Sequence, residues 1–255
     1  MAKLFTNQTA VITGAGQGIG FEIARQLVEQ GASVLLNDVN VQLANDAALQ
    51  LNDIQKGSCV AYAGDASDVI FIKKMVKKAV EHFGQVTIGI ANAGITHFGS
   101  FLNYEEMALQ KVMDLNLKGS FFLAQAVANQ IIKQQSGGRI LFMSSVTGHQ
   151  AHKNLVAYGM TKAGLEMLAK GLVSELSEFG ITVNSIVPGA TMTERTLDDL
   201  AYIETWSRIT PMGRPASVAD IANAALFMVS PLSKHITGQS LVIDGGWASV
   251  SPSPY

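Results

Sequence analysis

Two groups of residues in this chain have types and spacings that could do chemistry. The first is the run Thr13-Gly14-Ala15-Gly16-Gln17-Gly18-Ile19-Gly20, in which closely spaced glycines would let a backbone approach a phosphate. Its pattern is T-G-x-x-x-G-x-G rather than G-x-G-x-x-G, because Ile19 stands where the third glycine would fall. The second is Ser145, Tyr158 and Lys162, which supply a hydroxyl, a phenol and an ammonium group. Tyr158 and Lys162 are four residues apart and would share one helical face. Neither group decides anything by itself. A lone glycine run is as readily a tight connection as a phosphate site, and Tyr-x-x-x-Lys is a common surface pair.

The elements that must carry these residues decide between the readings. Short aliphatic runs near 9–13, 33–38, 59–62, 86–91, 139–143, 181–187 and 241–243 alternate with longer amphipathic segments. Strands of continuous apolar character separated by helices imply a parallel sheet covered on both faces, since parallel strands need crossover connections. No linker, repeat or low-complexity stretch interrupts the alternation, so residues 1–255 are expected to form one α/β domain. The expected architecture is a single doubly wound, Rossmann-type sheet of about seven strands. The glycine run then lies between the first strand and a helix marked by Ile19, Ile23, Leu27 and Val28 and stopped at Gly31, where such folds bind a dinucleotide. Asp38 ends the second strand, 38 minus 20 or 18 residues past the last glycine, close to the roughly 20 at which an acid reaches a ribose. No Lys or Arg occurs in 14–20 or 33–42, and a 2′-phosphate beside Asp38 would meet a like charge. That repulsion is about 4 kcal/mol at 4 Å and an effective dielectric of 20. The expected cofactor is therefore NAD rather than NADP. Ser145 falls at the carboxyl end of a strand, where sites of open α/β sheets lie.

Composition removes other classes. Of 255 residues, 48% are apolar and 15% charged, with 24 Gly and 6 Pro, which excludes disordered, collagen-like and coiled-coil chains. The net charge of −2 comes without a run of like charges, so neither nucleic acid nor an anionic membrane is an expected partner. Cys59 has no cysteine to pair with and sits in the strand-like run Ser58-Cys59-Val60-Ala61-Tyr62, as a packing residue of a reduced protein. The first eight residues lack a signal-type apolar stretch and no 18-residue apolar run occurs, so a soluble cytoplasmic protein is expected.

In order along the chain, Gly14, Gly18 and Gly20, Asn92-Ala93-Gly94, Asn116, Ser145, Tyr158-x-x-x-Lys162 and Pro188-Gly189 with Thr193 resemble the motifs of the short-chain dehydrogenase/reductase family. The resemblance runs from about residue 9 to 246. The 13 residues from Ser145 to Tyr158 match the family and select Ser145 over Ser144. Ala91 stands where many members carry an Asn that orders the central strand. The resemblance implies hydride transfer between a secondary alcohol and a nicotinamide, with Tyr158 as general acid/base. A phenol titrates near 10 and needs neighbouring positive charge for that work at neutral pH, which Lys162 and an oxidised nicotinamide would supply. Lys162 would also hold the nicotinamide ribose, and Ser145 would donate to the substrate oxygen. Asn116 is similar to the residue that holds a water linking Lys162 to solvent; its other reading is a helix Asn bonded to its own backbone. Gln17 and Ile19 accompany the glycines at the cofactor, Asn92 and Gly94 lie beside its ribose, and Asp65 resembles an adenine contact but is nearly as good a helix cap. Pro188 and Gly189 turn the chain at the nicotinamide, and Thr191 or Thr193 would meet it.

The family's substrate specificity lies in the segment after Pro188-Gly189, here 190 to about 212, expected as a lid with an apolar face of Leu197, Leu200, Ile203 and Trp206. Thr96, His97, His149, His152 and Leu155 are candidates for the other wall. The mixture does not name a substrate: polyols, sugars, hydroxy-steroids and small cyclic ketones all fit. His149 and His152 have no carboxylate or thiol at ligand spacing, so no metal is expected. Two further readings remain, an NADPH-dependent 3-oxoacyl-carrier-protein reductase, against which Asp38 argues, and a non-catalytic NAD sensor, against which the complete Asn116, Ser145, Tyr158, Lys162 set argues. The helix of 158–179 is apolar on most sides, and in the family it packs on another subunit, so a homo-oligomer, with a tetramer favoured, is expected.

Overall fold

The aliphatic runs become strands β1 (Thr9–Ile12), β2 (Ser33–Leu36), β3 (Cys59–Ala61), β4 (Ile88–Ala91), β5 (Gly138–Met143), β6 (Ile181–Pro188) and β7 (Ser240–Ile243). The structure is a computed structural model that describes residues 3–196, 198–199 and 201–250. The strands form one parallel sheet in the order β3-β2-β1-β4-β5-β6-β7. Chain direction across the sheet reverses between β1 and β4, which opens a crevice at their carboxyl ends. Just past the paired residues of β1 and β2, polar side chains bond across to neighbouring segments. Thr13 Oγ1 accepts from the Asn92 and Ala93 N–H groups, and Asn37 Nδ2 donates to the Tyr62 and Gly64 carbonyls.

The helices are α1 (Gly18–Glu29), α2 (Val41–Ile54), α3 (Val69–Phe83), α4 (Glu106–Val112), α5 (Ser120–Gln134), α6 (Val156–Leu176), α7 (Tyr202–Ile209) and α8 (Val218–Val229). Strand alternation splits the core into two layers. Ala10 and Ile12 of β1 join Ile23, Leu27, Ile90 and Ile221 on the face covered by α1, α2 and α8. Val11 joins Leu35, Met75, Val127, Phe142 and Leu165 on the face covered by α3, α5 and α6. Each such fully buried aliphatic side chain contributes roughly 1.5–3 kcal/mol. Cys59 belongs to the first layer, and burial pushes its thiol up to about 12.

Helix α6 starts two residues before Tyr158 and gives way at Ser177–Phe179 to a 3₁₀ turn, which Gly180 ends with a φ of +68°. Between α4 and α5, Met113–Gly119 form a wide π-helical stretch that contains Asn116. Of the expected apolar face over the site, Leu197 and Leu200 lie outside the described residues, and Ile203 is exposed. No helix among the described residues is long and apolar enough to cross a membrane.

Helix α8 packs along α1, the helix that carries the glycine run, and is started by a capping box. Ser217 Oγ accepts from the Asp220 N–H at 3.2 Å, and Asp220 Oδ2 accepts from the Ser217 N–H at 2.8 Å. The Arg214 guanidinium, then the Ser217 N–H, hold the Asp220 carboxyl well below the usual carboxylate range. A carboxyl lowered in the fold stabilises it fully above its ordinary titration and ceases to do so as pH falls. Ser217→Ala should cost about 1 kcal/mol in urea unfolding at neutral pH. Asp220→Asn should lower stability at neutral pH and lessen the further loss on acidification below about pH 4.

Candidate active site

The glycine run leaves β1 and enters α1 through two residues in the left-handed region, Gly14 at φ +62° and Gly18 at φ +64°. A Cβ on Gly14 would stand 2.8 Å from Ala93 Cα, so the turn lies directly on the chain leaving β4. Asn92 secures this contact: its Nδ2 donates to the Thr13 carbonyl at 3.0 Å and the Gly14 carbonyl at 2.7 Å. Gln17 is the N-cap of α1 and its side chain caps nothing, so the first-turn N–H groups remain open to an acceptor. Asp38 closes the far side. Its Oδ2 accepts from the Gly16 N–H at 3.1 Å and its Oδ1 from the Asn40 N–H at 3.0 Å. Asn40, not Asp38, caps α2. A carboxylate offers about four acceptor positions, so Asp38 keeps two for a diol. Open N–H groups, a glycine cradle and a fixed carboxylate fit the pyrophosphate and ribose of a dinucleotide.

Lys162 is 3% exposed, and its Nζ donates to the Met143 carbonyl, the last of β5, at 2.6 Å. The same Nζ lies 5.3 Å from the centroid of the Tyr158 ring. Asn116 is fully buried. Its Oδ1 accepts from the Ile95 N–H at 2.8 Å, and its Nδ2 donates to the Ile95 carbonyl at 2.9 Å and to Thr161 Oγ1 at 3.2 Å. Its side chain thus joins the exit of β4 to α6, rather than bonding its own helix. A Cβ on Gly94 would be 3.3 Å from Asn116 Oδ1 and 3.5 Å from Lys162 Nζ, so a glycine there gives both groups room.

The two serines after β5 differ in what their hydroxyls do. Ser144 is 2% exposed, and its Oγ bonds the Lys162 carbonyl at 3.0 Å and Glu166 Oε1 at 2.8 Å. Ser145 lines the cleft, and its Oγ accepts from Thr147 Oγ1 at 2.9 Å and the Thr147 N–H at 3.3 Å. The Ser145 proton is left to donate to a ligand oxygen. Two phenols also reach the cleft. Tyr202 donates to the Thr191 carbonyl at 3.2 Å, and burial raises it above the ordinary phenol range, so it is a neutral structural donor. Tyr158 is the phenol beside the ammonium group.

The cleft holds about 400 Å³ and is lined by Gly14, Gln17, Gly18, Ile19, Gly20, Asp38, Asn92, Gly94, Thr96, Ser145, Tyr158, Lys162, Pro188, Gly189, Thr191 and Thr193. Thus the glycine run and the Ser, Tyr and Lys groups share one cavity. Several expected residues are elsewhere. Asp65 is exposed and its Oδ1 accepts from the Ser67 N–H, while the cap of α3 is Asp68. His149 turns onto Glu166, with Nε2 and Oε2 2.5 Å apart, so the partner the structure gives it is a buried carboxylate. His97 is exposed against Tyr104, and Leu155 is the N-cap of α6. His152 faces Trp247 at 5.2 Å, Trp247 meets Trp206 edge-on at 5.0 Å, and Trp206 faces Tyr202 at 6.1 Å. These rings make an aromatic wall that reaches the cleft through Tyr202.

Sequence reasoning missed Glu194, Arg195 and Tyr202 in the lining, and Thr147 and Glu166 behind it. Glu166 had a signal, since it follows Lys162 by four residues. The others had none. Among the described residues, no three His, Cys, Asp or Glu side chains gather where they could hold a metal.

Comparison with known proteins agrees with this geometry. A family model described as enoyl-(acyl carrier protein) reductase matches residues 14–248. The chain is 34% identical over 249 residues to an L-rhamnose 1-dehydrogenase (NAD(P)(+)) of Azotobacter vinelandii, covering 95% of this chain and 97% of the relative. It is 35% identical over 254 residues to a diacetyl reductase ((S)-acetoin forming) of Staphylococcus epidermidis, covering 94% and 98%. A gluconate 5-dehydrogenase from Burkholderia cenocepacia J2315, solved with NADP and tartrate, superposes with a TM-score of 0.90 at 31% identity, covering 98% of this chain and 99% of that one. With its parallel sheet, glycine turn and Ser, Tyr and Lys groups in one cleft, the chain belongs to the short-chain dehydrogenase/reductase family.

Proposed function

We propose that this chain is an NAD-dependent oxidoreductase that interconverts a secondary alcohol of polyol, sugar or hydroxy-steroid type and its ketone. The observation that carries the reading is the buried Lys162 ammonium group 5.3 Å from the Tyr158 ring, in the cleft that also holds the glycine turn. A nicotinamide dinucleotide, when bound, accepts or supplies the hydride. Gly14, Gly18, Gly20 and the open N-terminus of α1 would hold its pyrophosphate, and Asp38 its adenosine ribose. Tyr158 takes the hydroxyl proton of the alcohol, or returns it to the ketone, with the Lys162 ammonium group beside its ring. Ser145 donates to the same substrate oxygen and stabilises charge developing on it. The Asn116 side-chain amide is committed to Ile95 and Thr161, so a water leading protons away from Lys162 would be held by the Asn116 main-chain carbonyl, which also accepts from the Ser120 hydroxyl.

NAD is favoured over NADP by the fixed Asp38 carboxylate and by the absence of Lys or Arg from 14–20 and 33–42. A substrate with a second polar group is supported by His152 Nε2, buried with no hydrogen-bond partner among the described residues, beside the aromatic wall. The segment 190–212 would cover that substrate. Exposed Met107, Phe121, Met160 and Met167 on α4, α5 and α6 support a homo-oligomer, for which we favour a tetramer. Sedimentation at micromolar concentration should show no monomer.

The decisive experiment is a panel of L-rhamnose, acetoin, gluconate and hydroxy-steroids with NAD and with NADP, followed by absorbance of the reduced nicotinamide. Turnover with NAD supports the reading, and a strong preference for NADPH on 3-oxoacyl thioesters would replace it with the acyl-carrier-protein reductase. Tyr158→Phe should lose about 10² to 10⁴ in kcat while still quenching with NADH. Retained turnover would remove Tyr158 from the mechanism. Asp38→Ala should raise kcat/KM for NADP relative to NAD, and an unchanged ratio would remove the ribose role.

A further inference from the structure

The loop that carries Ser145 is tied to α6 by a network outside the cleft. Glu166 lies one turn beyond Lys162, is 8% exposed, and has no part in the steps above. Its Oε1 takes the Ser144 hydroxyl at 2.8 Å and its Oε2 lies 2.5 Å from His149 Nε2, so one carboxylate holds both ends of the segment 144–149. Ser144 Oγ also meets the Lys162 carbonyl at 3.0 Å.

Between these ends the loop backbone rests on the helix backbone. A Cβ on Gly148 would come within 2.9 Å of Ala163 N and 3.0 Å of Glu166 Oε1, and one on Gly159 within 2.7 Å of the Thr147 carbonyl. With glycine at both contacts, the two backbones meet directly, and the polar bonds of Ser144 and His149 to Glu166 clamp the segment at its two ends. Ser145 is the covalent neighbour of Ser144, and Tyr158 lies on the same helix as Glu166.

We propose that Glu166 is a positioning residue which, by bridging Ser144 and His149, fixes the loop on α6 and so sets where the Ser145 hydroxyl stands relative to Tyr158. This rests on reading Ser145 and Tyr158 as the reacting pair. A carboxylate suits the place because it accepts at both oxygens. A glutamine keeps one acceptor for Ser144 and turns an N–H towards His149, whose imidazole can offer a lone pair in its other tautomer. An alanine supports neither end.

The full-length Glu166→Ala, Glu166→Gln and His149→Ala proteins test this by amide hydrogen exchange over 144–149, by NADH dissociation constant, and by kcat on the panel alcohol that wild type oxidises best. Glu166→Ala should speed exchange in this loop and lower kcat by about 10²-fold, the scale of an ångström-sized misplacement. Its NADH dissociation constant should stay at the wild-type value, since the glycine run and Asp38 are untouched. Glu166→Gln should recover most of the loop protection and of kcat. Wild-type exchange and kcat in Glu166→Ala would overturn the proposal, and so would weakened NADH binding that Glu166→Gln does not restore, which marks general loss of structure. Should Glu166→Ala fail to fold, His149→Ala decides: faster loop exchange supports the bridge and unchanged exchange refutes it. If wild type turns over no alcohol, the functional reading fails, while loop exchange still decides the role of Glu166.

Discussion

The site is organised by one buried cation. Lys162 places its ammonium group inside the protein against the final carbonyl of β5 and near the Tyr158 ring, and no carboxylate forms an ion pair with it among the described residues. A buried charge held by a carbonyl and an aromatic ring is stable only while both are in place. Sheet and helix must therefore meet at one register. The parallel ladder aligns Met143 with Ile186 on the neighbouring strand, and the buried Leu165 and Ala169 hold α6 to that face of the sheet. Asn116 then ties α6 to the segment leaving β4 through Thr161 and Ile95.

The glycine turn and the Ser, Tyr and Lys groups meet because they arise at adjacent strand ends. The glycine turn follows β1, the Asn92-Ala93-Gly94 segment follows β4 and Ser145 follows β5, and these three strands are neighbours. Asn92 uses its amide to hold the first of these segments to the second. Asp38, which follows β2, completes the row while bracing the turn through Gly16. The carboxylate thus shapes the cradle.

The fold and much of the cleft were legible because they depend on local pattern. Aliphatic runs gave seven strands, and the offset of four between Tyr158 and Lys162 placed both on one helix. What was not legible depends on side-chain direction in irregular segments. His149 sits in a loop whose composition suited a ligand contact, yet a buried Glu166 on the next helix captures its ring. Asp65 matched a motif position, but the turn that follows draws its carboxylate onto Ser67. Glu194 and Tyr202 reach the cleft from the segment expected as a lid, but they lie off its periodic apolar positions, so nothing in their spacing announced them. Ser144 and Ser145 are chemically identical; the 13-residue spacing to Tyr158 singled out Ser145, and what each hydroxyl does is read only from its hydrogen bonds.

The π-helical stretch Met113–Gly119 has a consequence for how this chain can vary. A widened turn holds one residue more than an α-helix needs for the same advance. Deleting one residue there would let the helix close to ordinary winding with α4 and α5 near their present places, but the widened turn that carries Asn116 would be gone. The Asn116 side chain would then lose its seat against Ile95, although the sequence on either flank was unchanged. Chain length in this stretch is thus held as tightly as the identity of Asn116 itself, and tolerance to insertion or deletion should be sought in the surface turns instead.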